Sequence, residues 1–542
     1  KNVDFDTFGN ATTRRGVAQL QDDVITGVWS TITDTWKAPP PPTIPPTEFS
    51  ALKWSASLVG PILKIAYFDT QDIEKIVLAN HDTDVDTRKI QIVGETGSIG
   101  DTGGTFDSGA DDVYFAQLVN RMYYCDGTSG TSLKYIDDSS VSQTITAGKV
   151  TSIDITEKGT GYTSVPTITF SSGAAAATAL LGYGGRVIDA TIDTTGSGYS
   201  LTAPPTISFT AAPAGGTDAA GTVNLSQVPL SPKLLISHAN RLFCASADSS
   251  VPTDQIFCSD VLDGEAWDLL GNSIRVGAGD GDAVTALVPW FGFQVLVFKE
   301  RSVWSVDADP SLEVTDWEIK LVNNRVGCVA HQTVQQVGPD VMFLSRDGVR
   351  SLSTIEAGAQ TSISSPLSAP INDYIERINR THVAKSCAVY YRNRYMVSVP
   401  LDSDTYPQTT LVFNAEQKSW SGFWTGWEPR SFAVTAFGGK IRMQFGDNCG
   451  KLFTWLDFVA ESDATESDYR DQTTDYETKL LSRAYNFKEI YADKLGYQVE
   501  FDVDNRFANE QLISFFYLRD MNGLNNGILL ETGDAMLTEE GK

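Results

Sequence analysis

Residues 233–248 read KLLISHANRLFCASAD. Two apolar runs of strand length flank an Asn-Arg turn, the pattern of an antiparallel hairpin. The same grammar recurs across residues 230–460. Residues 255–268 (QIFCSDVLDGEAWD), 283–307 (AVTALVPWFGFQVLVFKERSVWSVD), 331–353 (HQTVQQVGPDVMFLSRDGVRSLS), 384–402 (AKSCAVYYRNRYMVSVPLD), 409–423 (TTLVFNAEQKSWSGF) and 430–457 (RSFAVTAFGGKIRMQFGDNCGKLFTWLD) continue it. Hairpin turns are read at Asn240, 299–302, 346–348, 392–394 and 447–450, between strands of period two. A small twisted sheet cannot bury both faces alone, so such sheets stack around an axis. The fold expected is all-β, with a β-propeller-like core; a sandwich pair is the alternative.

Working outward, residues 49–148 carry further strand-length runs (SLVGPILKIAYFD, KIVLAN, KIQIVG, DVYFAQLVNRMYYCDG, SLKYIDD) and form the first propeller strands. Residues 149–226 differ in composition. VTSIDITEKGTGYTSVPTITF (150–170) is repeated as VIDATIDTTGSGYSLTAPPTISF (187–209), a period of about 37–39 residues that marks a repeated unit. Ala- and Gly-rich tracts follow each copy, so this stretch is an inserted tandem-repeat β module. Gly161 and Gly198 are expected in tight turns, Tyr162 and Tyr199 over a small core, and Pro166 and Pro205 at the start of the following strand. Residues 227–460 hold the main blades, with one helix expected over 369–379 (APINDYIERIN). Residues 1–48 read as an extended arm ending in the stiff Pro-rich spacer APPPPTIPP, and 461–542 as a C-terminal β segment with an exposed acidic loop and an acidic tail.

The chain has 542 residues and a net charge of −27. That charge repels phosphates, which disfavours tight nucleic-acid binding and anionic membranes. Six widely spaced cysteines without a C-x-x-C pair read as reduced, buried thiols, and four scattered histidines make no zinc pattern. No signal-peptide pattern is read at the start. The most apolar run, LVPWFGFQVLVF (287–298), is too short to cross a bilayer and contains Pro and Gln, so a soluble protein without a membrane anchor is expected.

Catalytic patterns do not emerge. His81-Asp-Thr-Asp-Val-Asp86 begins like a calcium loop but has Thr87 where the sharp turn needs Gly and Val93 where the closing Glu belongs. Gly277-Ala-Gly-Asp-Gly-Asp282 is an acidic turn with no phosphate-binding Lys after it. Ser345-Arg-Asp347-Gly348 reads as a hairpin turn. No catalytic, cofactor-binding or metal-binding residue is assigned, no cofactor is expected, and the chain is read as a structural protein, not an enzyme. Two rival readings are a propeller glycosidase, which needs two carboxylates facing one cleft, and a glycan-binding module in which the paired tyrosines of the repeat grip a receptor sugar.

The series SHANRLFCAS (237–246), QIFCSDVLDGEAWD (255–268), GDAVTALVPWFGFQVLVFKERSVWSVD (281–307), VGPDVMFLSRDGVRSLS (337–353), PINDYIERIN (370–379), YYRNRYMVSVP (390–400) and LVFNAEQKSWSGF (411–423) resembles the tail nozzle proteins of short-tailed bacteriophages, also called tail tubular or stabilisation proteins. NATTRRGVAQL (10–20) is similar to their opening arm. The resemblance covers about 230–455 and excludes the insert, which is similar to modules that decorate phage structural proteins. It implies a virion component of the phage tail: a propeller-cored subunit of a homo-oligomeric ring, a hexamer by expectation, distal to the portal and the tail adaptor. Such a ring extends the DNA channel and helps to retain and then release the genome, with tail fibres or spikes attached outside. In that setting an acidic lumen would let DNA pass without adhering.

Overall fold

The computed structural model describes residues 58–455 apart from 59, 71–73, 94–98, 146–147, 202, 353–365 and 437–440, and short backbone strands at Val3–Phe5, Ala11–Thr13, Val17–Gln19, Ile513–Phe516 and Gly527–Leu530. The expected Pro-rich spacer, the loop at 461–475 and the acidic tail lie outside the described residues. The chain divides into two compact units, 1–480 and 481–542; in the second, Ile513–Phe516 pairs antiparallel with Gly527–Leu530.

In the first unit, seven small antiparallel sheets form a β-propeller-like arrangement. Blade 1 comprises Ile62–Asp69, Glu74–Asp82, Thr87–Val93 and Ile99–Thr105. Blade 2 comprises Tyr114–Leu118, Arg121–Cys125, Lys134–Ile136 and Ser142–Thr144. Blade 3 runs from Pro232–His238 through Arg241–Ser246 and Gln255–Asp260 to Asp263–Trp267, with a fifth strand, Ser273–Arg275, also pairing on Gln255–Asp260. Blade 4 runs from Val284–Pro289 through Gln294–Lys299 and Val303–Asp307 to Glu318–Asn323. Blade 5 has three strands, Gln335–Val337, Asp340–Ser345 and Gly348–Ser351. Blade 6 holds Cys387–Tyr391, Arg394–Val399, Thr409–Asn414 and Ser419–Trp424. Blade 7 holds Pro429–Thr435, Arg442–Asp447 and Leu452–Trp455.

All five expected turns join antiparallel strands; Ala239-Asn240 and Arg392-Asn393 both take positive φ, as two-residue hairpins of matching twist require. Period-two alternation, however, is not the rule. Strands such as Arg241–Ser246 and Gln294–Lys299 are buried at nearly every position, because each blade is covered on both faces by its neighbours. Continuous apolar runs are what doubly covered strands need. Each neighbouring pair from blade 1 to blade 7 shares an apolar cluster. Phe243 and Val297 lie in the cluster between blades 3 and 4, and Phe298 and Phe343 meet edge-on at 4.9 Å between blades 4 and 5. Between blades 6 and 7, Trp424 stands 5.1 Å from Trp427 and 5.6 Å from Trp455. Burying one such side chain is worth about 1.5–3 kcal/mol.

The circle closes twice over. Blade 7 packs on blade 1, where Ile65 N–H donates to Ser431 Oγ at 3.3 Å and Gly446 lies so close to Ile62 that an added Cβ would sit 2.5 Å from its Cγ2. The strand Val17–Gln19 pairs antiparallel with Leu452–Trp455 and becomes the outer strand of blade 7. The sequence suggested only an extended arm there.

The helix expected at 369–379 is shorter. A 3-10 turn, Ala369–Ile371, leads into Asn372–Glu376, five residues long. Ile375 and Ile378 are buried as the pattern implies, but no side chain caps the first turn, and the Arg377 carbonyl leaves the helical ladder to accept Asp402 N–H at 2.8 Å.

The tandem repeat folds as one body with internal two-fold character. Val150–Thr160 of the first copy pairs with Thr217–Leu225, after the second copy. Arg186–Thr194 of the second pairs with Ala176–Gly182, after the first. The central pair crosses symmetrically, Ile168 opposite Phe209 and Phe170 opposite Ile207. Gly161 and Gly198 have φ of 81° and 78°, left-handed values that favour glycine. Tyr162 N–H donates to Gly185 O at 3.2 Å and Tyr199 N–H to Gly148 O at 3.1 Å, equivalent contacts made in both directions.

Candidate functional site at the propeller axis

The crossings that carry the chain from one blade to the first strand of the next converge at one end of the axis. They place Asp111 and Asp112 before blade 2, His331 and Gln332 before blade 5, and Lys385 before blade 6. Lys64 comes from the first strand of blade 1 and Arg430 from that of blade 7. Gln332 Nε2 donates to Asp112 Oδ2 at 2.8 Å. His331 Nε2 lies 3.1 Å from the same oxygen, in ion-pair range but outside hydrogen-bonding angles. The imidazole lies 4.9 Å from the ring of Tyr114, the first strand residue of blade 2, tilted by 51° to it. Blades 2 and 5 are three steps apart in a seven-blade circle, so side chains meet across the axis and close it at this level.

A second group lies beside it. Arg430 Nη2 donates to Asp111 O at 3.3 Å, and Lys385 Nζ is 4.0 Å from Asp111 Oδ1. Both cations also face Tyr406, at 4.6 Å for Lys385 and 4.8 Å for Arg430. Desolvation pushes the His331 imidazole down to about 4; Asp112 opposes the shift and Lys64 adds to it. Desolvation also lowers the Lys64 ammonium, against Asp112 and Cys387. His331 is therefore neutral at pH 7, and Asp112 is an acceptor already engaged by Gln332. This is the chemistry of a tie: charges and amides compensate one another between distant segments of the chain.

The turns singled out in the sequence do not join this cluster. At His81–Asp86, Asp82 Oδ1 accepts the N–H groups of Asp84 and Val85 at 3.1 and 3.4 Å, and His81 meets Asp86 at 3.0 Å in a hairpin turn. In the Gly277–Asp282 turn, Asp280 holds the buried Lys299 ammonium at 2.7 Å and Asp282 accepts Arg301 N–H at 2.8 Å. Ser345 pairs with Gly348 across its turn, with Ser345 Oγ donating to Asp347 at 2.5 Å. Tyr162 and Tyr199 are buried; their hydroxyls accept Ala219 N–H and Ala175 N–H, each at 2.9 Å. No group of three or more metal-ligating side chains forms among the described residues. All six cysteines are free thiols, five of them buried. No helix among the described residues is long and apolar enough to cross a membrane.

The axial residues are isolated single letters in the sequence. Their shared signal is position, just before or within the first strand of a blade. No protein-family model matches this chain, and no curated protein matches its sequence.

Proposed function

We propose that the chain is a structural subunit of a short phage tail, assembling as a homo-oligomeric nozzle ring, a hexamer, that extends the DNA channel, retains the genome and releases it on ejection. One observation carries this reading. The segments that resemble the nozzle proteins fall in order on consecutive blades: 237–246 and 255–268 on blade 3, 281–307 on blade 4, 337–353 on blade 5, and 390–400 and 411–423 on blade 6. It is the spread of the resembling segments over four blades, and not a single motif, that supports the reading.

The closed axis bears on the path of DNA. A duplex cannot thread a propeller whose axis is bridged by Asp112, Gln332 and His331. In this reading the lumen lies between copies, and the net charge of −27 keeps phosphates from adhering to its wall. The tail adaptor templates the ring, fibres or spikes attach outside, and catalysis plays no part. The test is particle imaging of the purified protein, alone and with the tail adaptor. A ring is expected; monomers at high concentration with no adaptor-induced assembly would overturn the proposal.

A further inference from the structure

The insert joins the propeller at one end of its internal two-fold and presents the equivalent end to solvent. At the root, Gln227 N–H donates to Trp267 O at 3.0 Å, a β-bridge to the free edge of the outer strand of blade 3. Two residues earlier on that strand, Glu265 takes two cations, Lys149 from the root and Arg121 from blade 2. Burial pushes the Glu265 carboxyl up, but Lys149 and Arg121 outweigh it and hold it below its ordinary value.

Strand register fixes which tip residues correspond. Val150 opposes Leu225 at the root as Val187 opposes Leu181 at the tip. Counting on from these pairs, Lys149 corresponds to Arg186 and Gln227 to Tyr183. Tyr183 is 104% exposed, between Gly182 and Gly184, and Arg186 is exposed with no side-chain partner among the described residues. Leu180 and Ile188 beside them are also exposed. The tip carries the root's register positions on a closed turn at 183–185, with nothing beneath it.

A matching seat exists on blade 4. Its outer strand, Glu318–Asn323, pairs on one side only, with Val303–Asp307. Ile319 and Leu321 are exposed on it. Glu318 carries a single cation, Lys320, at 2.8 Å in an exposed pair. Exposed pairs of this kind hold weakly, so a second cation can join as it does at Glu265. We infer that the tip of the insert, through Tyr183 and Arg186, docks on the outer strand Glu318–Asn323 of blade 4 in a second copy of this chain. The strand edge receives a backbone bridge, Glu318 receives Arg186 on one face of the strand, and the tyrosine ring covers Ile319 and Leu321 on the other. This rests on the proposed assembly of several copies.

Two proteins test it, one carrying Gly184→Cys, where an added side chain meets open space, and the other Lys320→Cys, both with the exposed Cys449 changed to Ser, so that Tyr183 and Leu321 stay in place. Mixed and mildly oxidised, they should give a cross-linked heterodimer. Arg186→Glu should lower its yield about tenfold, equivalent to about 1.4 kcal/mol, and Glu318→Lys on the other partner should restore it. If the mass in solution shows a ring but no 184–320 cross-link forms, the docking is wrong and the ring stands. If the cross-link forms but assembly stops short of a closed ring, the docking stands and the ring reading falls. Absence of both overturns both. Tip-dependent retention on a glycan array without the cross-link assigns the tip to a sugar and overturns the docking.

Discussion

Gln332 and Asp112, 220 residues apart in the chain, are joined by a 2.8 Å hydrogen bond across the propeller axis. Asp112 is mostly buried beside His331, so its loss leaves the Gln332 amide without its partner in a partly buried site. Asp112→Ala should destabilise the propeller by about 1–3 kcal/mol in urea unfolding, the penalty for a buried polar group without a partner. A loss below a few tenths of a kcal/mol would mean that water fills the site at no penalty.

Stability should depend on pH through His331. Its folded pKa, about 4, lies below the ordinary 6.5, so the unfolded chain binds more protons between those values. The contribution is complete above about pH 6.5 and is lost as pH falls towards 4. Its full size is roughly 3 kcal/mol at 1.36 kcal/mol per pH unit. Asp447 acts in the opposite sense. Burial raises its carboxyl to about 6, against the N–H groups of Lys451 and Cys449, so its contribution is complete below about pH 4 and lost as pH rises through 6. His331→Gln should remove the acid-side loss, and Asp447→Asn should stabilise the protein above pH 6. Unfolding midpoints of both variants from pH 4 to 7.5 check this; parallel profiles would contradict it.

Closure of the circle is open to a direct perturbation. Gly446→Val places atoms against Ile62 at the contact between blades 7 and 1. Overpacking of this kind costs about 1–3 kcal/mol. The melting temperature should fall, with earlier proteolysis near the contact.

Removing residues 1–20 withdraws the strand Val17–Gln19 and bares the edge of Leu452–Trp455. Exposed edges pair with other chains. The shortened protein should melt earlier and aggregate, as light scattering would record. A peptide of residues 10–20 added in trans should reverse part of the effect.

In the insert, Tyr162→Phe and Tyr199→Phe should cost similar amounts, about 1 kcal/mol each, since each removes the acceptor of one backbone N–H. Unequal losses in calorimetry would show that the internal symmetry does not extend to energetics.

The blades were legible because hairpin turns are local. Asn240 and Arg392-Asn393 announce themselves within a few residues, and so do the apolar runs beside them. The axial cluster was not legible. Lys64, Asp112 and His331 are joined only by the closing of seven sheets into a circle, and no local pattern records that step. The outer strand at Val17–Gln19 escaped for the same reason, as its partner lies more than 400 residues away. The Gly-Tyr repeat announced a module, and its glycines and tyrosines serve the roles read from them. Which strand pairs with which, across the two copies, needed the structure. The helix at 369–379 was overread because three isoleucines at suitable spacing do not supply a cap.

The two ends of the insert share their backbone bonds: Gly148 N–H donates to Ser226 O at 2.9 Å, and Ser226 N–H to Lys149 O at 2.7 Å. Such a doorway is the same width whatever stands behind it. Beyond that doorway the module's strands pair only with one another, so a change inside it leaves the strand pairing of the wheel that carries it untouched.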